Sequence, residues 1–288
     1  MPAATQKVSM RETIVCVAVS ECTWENLRRY CFNAAFRANR HRFDLAIGFN
    51  GYDPEAIRFI DALTPEYLLT RPNTGHDLAN FDNILKRVPA HARYILMHDD
   101  HWFFDEEWFD RLLVLLDSTP EVGVFGNLVP YDVQGSFKEY YDRLCTLTGY
   151  DEVLGHGYPH FLQGLAGIYR GEVIQEILMD DGIPHLHRSV QTAAQVFERV
   201  FSALLLNRGV HFAQIPPGFE LFLVHRDHSI VLIKLEQAAH YLDMGDRDSA
   251  ESIFAMLKEL RPDDADLTKR MGEMRAGRRY ALPRMPKP

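Results

Sequence analysis

Short apolar runs separated by amphipathic stretches organise most of this chain. Residues 13–19 (TIVCVAV), 44–49 (DLAIGF), 67–70 (YLLT), 94–97 (YILM) and 122–125 (VGVF) each read as a short buried strand. Between them, Leu78, Phe81, Leu85 and Val88 recur at helical spacing. Trp24, Leu27, Cys31 and Ala35 form a comparable face behind Thr23, a candidate helix cap. Asp53-Pro54 reads as the cap and first turn of another helix. Asp105, Glu106 and Glu107 put negative charge into a further first turn, where it complements the helix dipole. Strands alternating with helices predict an α/β domain on a mostly parallel sheet.

The second half is less regular. Residues 130–157 are rich in Tyr, Gly and Asp with weak periodicity, and read as a loop-rich insertion. Ser189 opens a long helix with Val190, Ala193, Ala194, Phe197, Phe201, Leu204 and Leu205 on one face. It ends near Arg208-Gly209, a common helix stop. Residues 211–215 and 221–224 read as late strands. Ala238, Tyr241, Gly245, Ala250, Phe254 and Pro262 then fall at the spacing of a tetratricopeptide repeat. One such helical hairpin cannot bury its own face, so it is expected to pack on the α/β domain or on a protein partner. The expected division is an α/β domain over 11–228, a hairpin over 229–275 and a loose tail over 276–288.

Composition narrows the function classes. The chain has 288 residues, 47% hydrophobic and 25% charged, as in an ordinary globular protein. A net charge of −9 argues against non-specific nucleic-acid binding, because there is no basic excess to neutralise phosphates. Cys16, Cys22, Cys31 and Cys145 include no C-x-x-C pair, so reduced thiols are expected. The first residues lack the apolar core of a signal peptide, and no run approaches the ~20 apolar residues of a membrane span. A soluble, cytoplasmic chain without a transmembrane segment is the expectation.

The chemistry concentrates in YILMHDDHWFF, residues 94–104. An apolar strand runs straight into His98, Asp99, Asp100 and His101. Clustered charge at such a strand end is costly unless something neutralises it. A divalent cation would do so: carboxylates suit Mg²⁺ or Mn²⁺, and an imidazole shifts the preference toward Mn²⁺. The bland alternative is a solvated turn in which Asp105 caps the next helix. Parallel sheets bind ligands beyond the carboxyl ends of their strands, and the cluster sits at such an end.

With these motifs the chain resembles the GT-A-fold nucleotide-sugar glycosyltransferases, family 2-like in character. Those enzymes bind a metal through an Asp-x-Asp motif. The matching triplet here is Asp99-Asp100-His101, with His in place of the last Asp. The resemblance implies Asp100 and His101 as ligands of Mn²⁺ or Mg²⁺, with His225 in preference to His228 as a third. Asp99 would contact the donor ribose or sugar. Asn73 and Gly75, in the segment before the helix at 76–88, are similar to the family's Asn-x-Gly near the donor site. Asp53 and Arg226 are further donor-side candidates, Arg226 because arginine pairs well with phosphate oxygens. Gln163 and Gly164 fall in a small-residue stretch similar to the acceptor wall, and the insertion at 130–157 could add to it.

Many inverting members carry a Glu-Asp pair on a helix ending in Gly. Counting back from Gly209, the Asp position falls on Glu198, which becomes the candidate general base. Its alternative role is a flanking carboxylate paired with Arg199 or Arg208. The resemblance thus implies a metal-dependent, hexosyl-transferring enzyme, inverting, with a nucleotide-sugar donor (a UDP-sugar favoured) and an unidentified acceptor. Two other classes stay open. His98-x-Asp100 with a distal His fits a 2-His-1-carboxylate iron(II) oxygenase, and the hairpin fits a non-catalytic scaffold on a donor-binding fold.

Overall fold

The computed structural model describes residues 11–103, 106–186, 191–215, 224–225, 235, 238–239, 241–242, 245–260 and 265–277. These fall into two compact units, divided between Val224 and His225.

The first unit is built on a seven-stranded sheet in the order β3-β2-β1-β4-β7-β6-β8. Its strands are β1 (Thr13–Ser20), β2 (Asp44–Asn50), β3 (Tyr67–Arg71), β4 (Arg93–His98), β6 (Val124–Pro130), β7 (His160–Arg170) and β8 (Phe212–Gln214). Strands β1 to β4 pair in parallel, as do β6 and β8, while β7 runs antiparallel to both of its neighbours. The expected α/β fold with a mostly parallel sheet is therefore present. A two-residue strand, β5 (His101–Trp102), pairs in a separate small sheet with β9 (Val224–His225).

Helices cover both faces, which is why the central strands are continuously apolar rather than alternating. Ile14, Cys16 and Ala18 of β1 face one core with Leu78, Phe81 and Ile84 of α3 (His76–Leu85). The same core holds Val173 and Ile174 of α6 (Gly171–Met179), and Val196, Phe197 and Val200 of α7 (Gln191–Asn207). Val15, Val17 and Val19 face the other core with Phe36 of α1 (Ala34–Asn39) and Ile60 of α2 (Pro54–Ala62). Trp108 and Leu112 of α4 (Trp108–Ser118) complete that side. Asn80 of α3 is fully buried and its amide donates to the Gly48 and Val19 carbonyls, 2.7 and 3.3 Å away. It thereby ties the helix to β2 and β1 near their carboxyl ends.

Three sequence expectations change. Residues 130–157 are not mainly loop: α5 (Gly135–Thr148) occupies half of them, burying Tyr141, Leu144 and Cys145 in the first core. Its buried face is narrow and partly aromatic, which is why its periodicity is weak. The helix expected behind Thr23 is instead a π-helical turn (Leu27–Cys31) followed by α1, which Asn33 caps by accepting the Phe36 N–H at 2.9 Å. Strand β7 and helix α6 had no counterpart in the sequence reading. The start of α7 at Ser189, the strand at 221–223 and Asp105 lie outside the described residues.

The second unit is helical among its described residues. Helices α8 (Arg247–Leu260) and α9 (Ala265–Arg275) are joined by a bidentate ion pair from Arg275 to Glu251, with the guanidinium 4.8 Å from the Phe254 ring. Ala238, Ala250 and Phe254 are all fully buried. No helix among the described residues is long and apolar enough to cross a membrane.

Candidate active site

The acidic turn forms where β4 ends. Asp99 is buried, and its carboxylate accepts a 2.5 Å hydrogen bond from the Thr23 hydroxyl and another from the Asn26 side chain. Both partners come from the segment after β1, so the β1 and β4 ends are bound to each other here. Burial pushes Asp99 up to about 7, and the Asp100 charge adds to that, against the Thr23 hydrogen bond. Asp100 is more exposed, and its Oδ1 lies 3.5 Å from His101 Nδ1. His101 is buried, accepts the His98 N–H at Nδ1 (3.2 Å), and has its ring 5.3 Å from that of His98. Asp100 and His101 are thus brought together. Among the described residues no three His, Cys, Asp or Glu side chains converge on one point.

His98 points the other way. Its Nε2 lies 2.7 Å from the Gly164 carbonyl oxygen and 3.3 Å from Asp77 Oδ2. Two acceptors on one ring nitrogen require that it carry a proton, which fixes Nε2–H. Asp77 sits in the first turn of α3, the favourable end for a carboxylate.

Gly164 belongs to a bulge. Between the Gly126–Gly167 and Leu128–Leu162 pairs the register of β6 and β7 shifts, and β7 carries the extra residues. Gly164 and Leu165 both adopt left-handed backbone, with φ of +60° and +55°. A bulge re-aims backbone groups, and bulges recur beside active sites. Here it turns the Gly164 carbonyl to His98, while the Gly164 backbone hydrogen-bonds to Glu198.

Glu198 lies on α7. Burial pushes its carboxyl up to about 7, with Asp77 adding to the rise and the Gly164 hydrogen bond opposing it. It is not tied to Arg208, which pairs with Asp180. Ser202, one turn on, is fully buried; its hydroxyl donates to the Glu198 carbonyl at 2.9 Å and accepts the Leu162 N–H at 3.0 Å. The base candidate is therefore fixed to β7 from two directions.

Beside Glu198 opens a cleft of about 370 Å³. Gln163, Gln134, Gln195, Asp132, Phe161 and Arg199 are among its lining residues. Gln163 is held at Oε1 by the Asn127 amide at 2.6 Å.

The other candidates occupy varied positions. Gly75 caps α3 with φ +75°, and a side chain there would meet the Leu186 carbonyl oxygen at 2.6 Å. Asn73 is exposed in the loop before it. That loop is held by Arg71, which donates to the Thr74 carbonyl at 2.7 Å and to Asn50 Oδ1 at 3.1 Å. Asp53 accepts the Glu55 and Ala56 N–H groups and so caps α2. His225 opens the second unit, and Arg226 and His228 lie outside the described residues. Sequence reasoning missed Thr23 and Asn26 as partners of Asp99, and missed Asp77; it named Arg199 only as a possible partner of Glu198. The one available signal was Asp77's place in a helix first turn facing the end of β4.

No protein-family model matches the chain, and a comparison with curated proteins finds no match. Among solved structures, residues 1–349 of S. aureus TarS in complex with UDP-GlcNAc align over 94% of this chain and 93% of that one, at 14% identity and a TM-score of 0.41. A second structure of TarS 1–349 aligns over 93% of each chain at 13% identity and a TM-score of 0.40. CMP:2-keto-3-deoxy-manno-octonic acid synthetase complexed with CTP aligns over 70% of this chain and 88% of that one, at 11% identity and a TM-score of 0.36. At this distance the chain is similar to these structures in general architecture, and nothing about its activity follows from them.

Proposed function

We propose that the chain is a glycosyltransferase that moves a hexosyl group from a nucleotide-sugar donor, a UDP-sugar first among candidates, to an acceptor hydroxyl with inversion. The observation that carries this reading is the link from His98, which precedes the Asp99–Asp100–His101 turn, through Gly164 of the β7 bulge to Glu198, which lines a cleft. A donor bound over the carboxyl ends of β1 and β4 would lie between the acidic turn and Glu198. An acceptor entering the cleft would present its hydroxyl to the same carboxylate.

Asp100 and His101 would hold Mn²⁺ or Mg²⁺, and a cation there would compete with the His98 N–H for His101 Nδ1. The donor set, a carboxylate beside an imidazole, favours Mn²⁺. With only two protein groups gathered among the described residues, the remaining coordination would come from the donor's own diphosphate oxygens. Once bound, the cation supplies charge neutralisation for the leaving nucleoside diphosphate. Glu198 takes the proton from the acceptor hydroxyl, for which a proton affinity near neutrality is well matched. Asp99, held by Thr23 and Asn26, fixes the floor of the donor side. His225 and Arg226 stay as proposals for a third ligand and a diphosphate contact, and the helical second unit as a surface for a protein partner.

The test is thermal unfolding of the full chain with UDP, GDP, dTDP and CDP, each with and without Mn²⁺. A ligand at a hundredfold excess over its dissociation constant stabilises by ~2.7 kcal/mol. A Mn²⁺-dependent shift with one nucleotide, lost in Asp100→Ala, supports the transferase. A shift with Fe²⁺ and 2-oxoglutarate alone would favour the oxygenase, and no shift with any ligand the scaffold.

A further inference from the structure

We infer that the acceptor is a sugar or polyol carrying an oxyanion, a carboxylate or a phosphate, which docks on Arg199. This rests on the transferase reading for the word acceptor, although the anion site itself does not need it.

The guanidinium of Arg199 lies over two aromatic rings, 4.1 Å from the centroid of Phe161 and 4.9 Å from that of Phe137. Cation–π contact with two rings restricts the movement of the group. Its Nη1 donates to the Gln195 carbonyl of the same helix at 2.9 Å. Nε is buried with no hydrogen-bond partner. No carboxylate among the described residues pairs with the guanidinium at salt-bridge distance, and burial depresses its proton affinity. Glu198 and Asp132 act on this partly desolvated cation only through space and leave its Nε without a hydrogen bond, and a planar guanidinium matches carboxylate and phosphate oxygens better than any other side chain.

The rest of the cleft says what surrounds that anion. Gln134, Gln163 and Gln195 line it with carboxamides, which both donate and accept and so match hydroxyl groups. Phe137 and Phe161 offer ring faces and edges, and the wall has no extended apolar surface for a lipid tail. At about 370 Å³ the volume lies at the lower end of the ~300–1,000 Å³ of small-ligand pockets. Asp132 and Glu198 are the acidic groups of the lining. Glu198, with its raised proton affinity, repels an anion less than an ordinary carboxylate would.

The experiment is ligand-observed NMR titration of the full chain with glucuronate, with glycerol phosphate and with glucose. UDP plus Mn²⁺ is titrated in parallel. The expected result is that at least one anionic probe binds tenfold or more tighter than glucose, and that Arg199→Met removes this preference. Which of the two anions binds separates a sugar acid from a phosphorylated polyol. Arg199→Lys, which keeps the charge without the planar fork, should retain only part of it, and circular dichroism of each variant establishes that it is folded. Equal binding of glucose and both anions, binding of none, or a preference that survives in folded Arg199→Met overturns the inference. An Arg199-dependent anion preference without any UDP binding would leave the anion site standing and remove the transferase reading.

Discussion

The imidazole of His98 and the carbonyl of Gly164 meet at 2.7 Å, joining the end of β4 to the bulge of β7. The neighbours of this contact make it more than local. His98 precedes the acidic turn, and Gly164 is the residue whose backbone hydrogen-bonds to Glu198. The two halves of the candidate site are thus held in fixed relation by one backbone residue in a conformation that favours glycine.

Gly164→Ala tests that relation. The new Cβ would lie 3.1 Å from His98 Nε2, on backbone with φ +60°. Left-handed backbone costs a non-glycine residue about 1–2 kcal/mol. The expected outcome is a loss of that order in urea unfolding, together with a fall in transfer rate larger than any change in nucleotide binding. Unchanged transfer would show that the bulge does not position Glu198.

Glu198→Gln should leave nucleotide binding intact and lower transfer by ~10²–10⁴, the usual contribution of a general base. Because Glu198 must be ionised to act, the rate should fall about tenfold per pH unit below its proton affinity of about 7. Asp77→Asn removes a negative charge that raises this value, so the acid limb of the profile should move to lower pH. An acid limb that stays put in Asp77→Asn would assign it to another group.

Stability should fall as pH rises through the same region. Asp99 and Glu198 have ordinary values of 3.8 and 4.5, and burial pushes each to about 7 in the folded chain. Between roughly pH 4 and pH 7 the folded state therefore holds protons that the unfolded state has released, and unfolding free energy declines with rising pH. Thermal unfolding near pH 5 and near pH 8 measures this, and Glu198→Gln should flatten the difference. Stability that rises over the interval and ignores the substitution would contradict it.

Ser202→Ala isolates the tie between α7 and β7. Removing the hydroxyl leaves the buried Leu162 N–H without its acceptor, at a cost of about 1–3 kcal/mol. Urea unfolding should report that loss. A cost well below that range would mean another group takes over the N–H.

The parallel half of the sheet was legible because strands buried on both faces must be apolar throughout, and residues 13–19, 44–49 and 94–97 are. The acidic turn was legible for the converse reason: four ionisable groups at the end of such a strand stand out against it. Glu198 could be named only by counting along a helix, since a carboxylate on an amphipathic face has the same local pattern whether it meets solvent or a cleft.

What the sequence by itself determined was the alternation of strands and helices, and with it the end of the sheet where chemistry collects. Tertiary structure decided which residues meet there. Strand β7 returns antiparallel between β4 and β6, and its bulge sets Gly164 against both His98 and Glu198. Helix α5 brings Phe137, and β7 brings Phe161, against the guanidinium of Arg199. Local patterning records how much of each segment is buried. It does not record the partner across the sheet, because pairing between residues tens of positions apart is fixed only when the whole core closes.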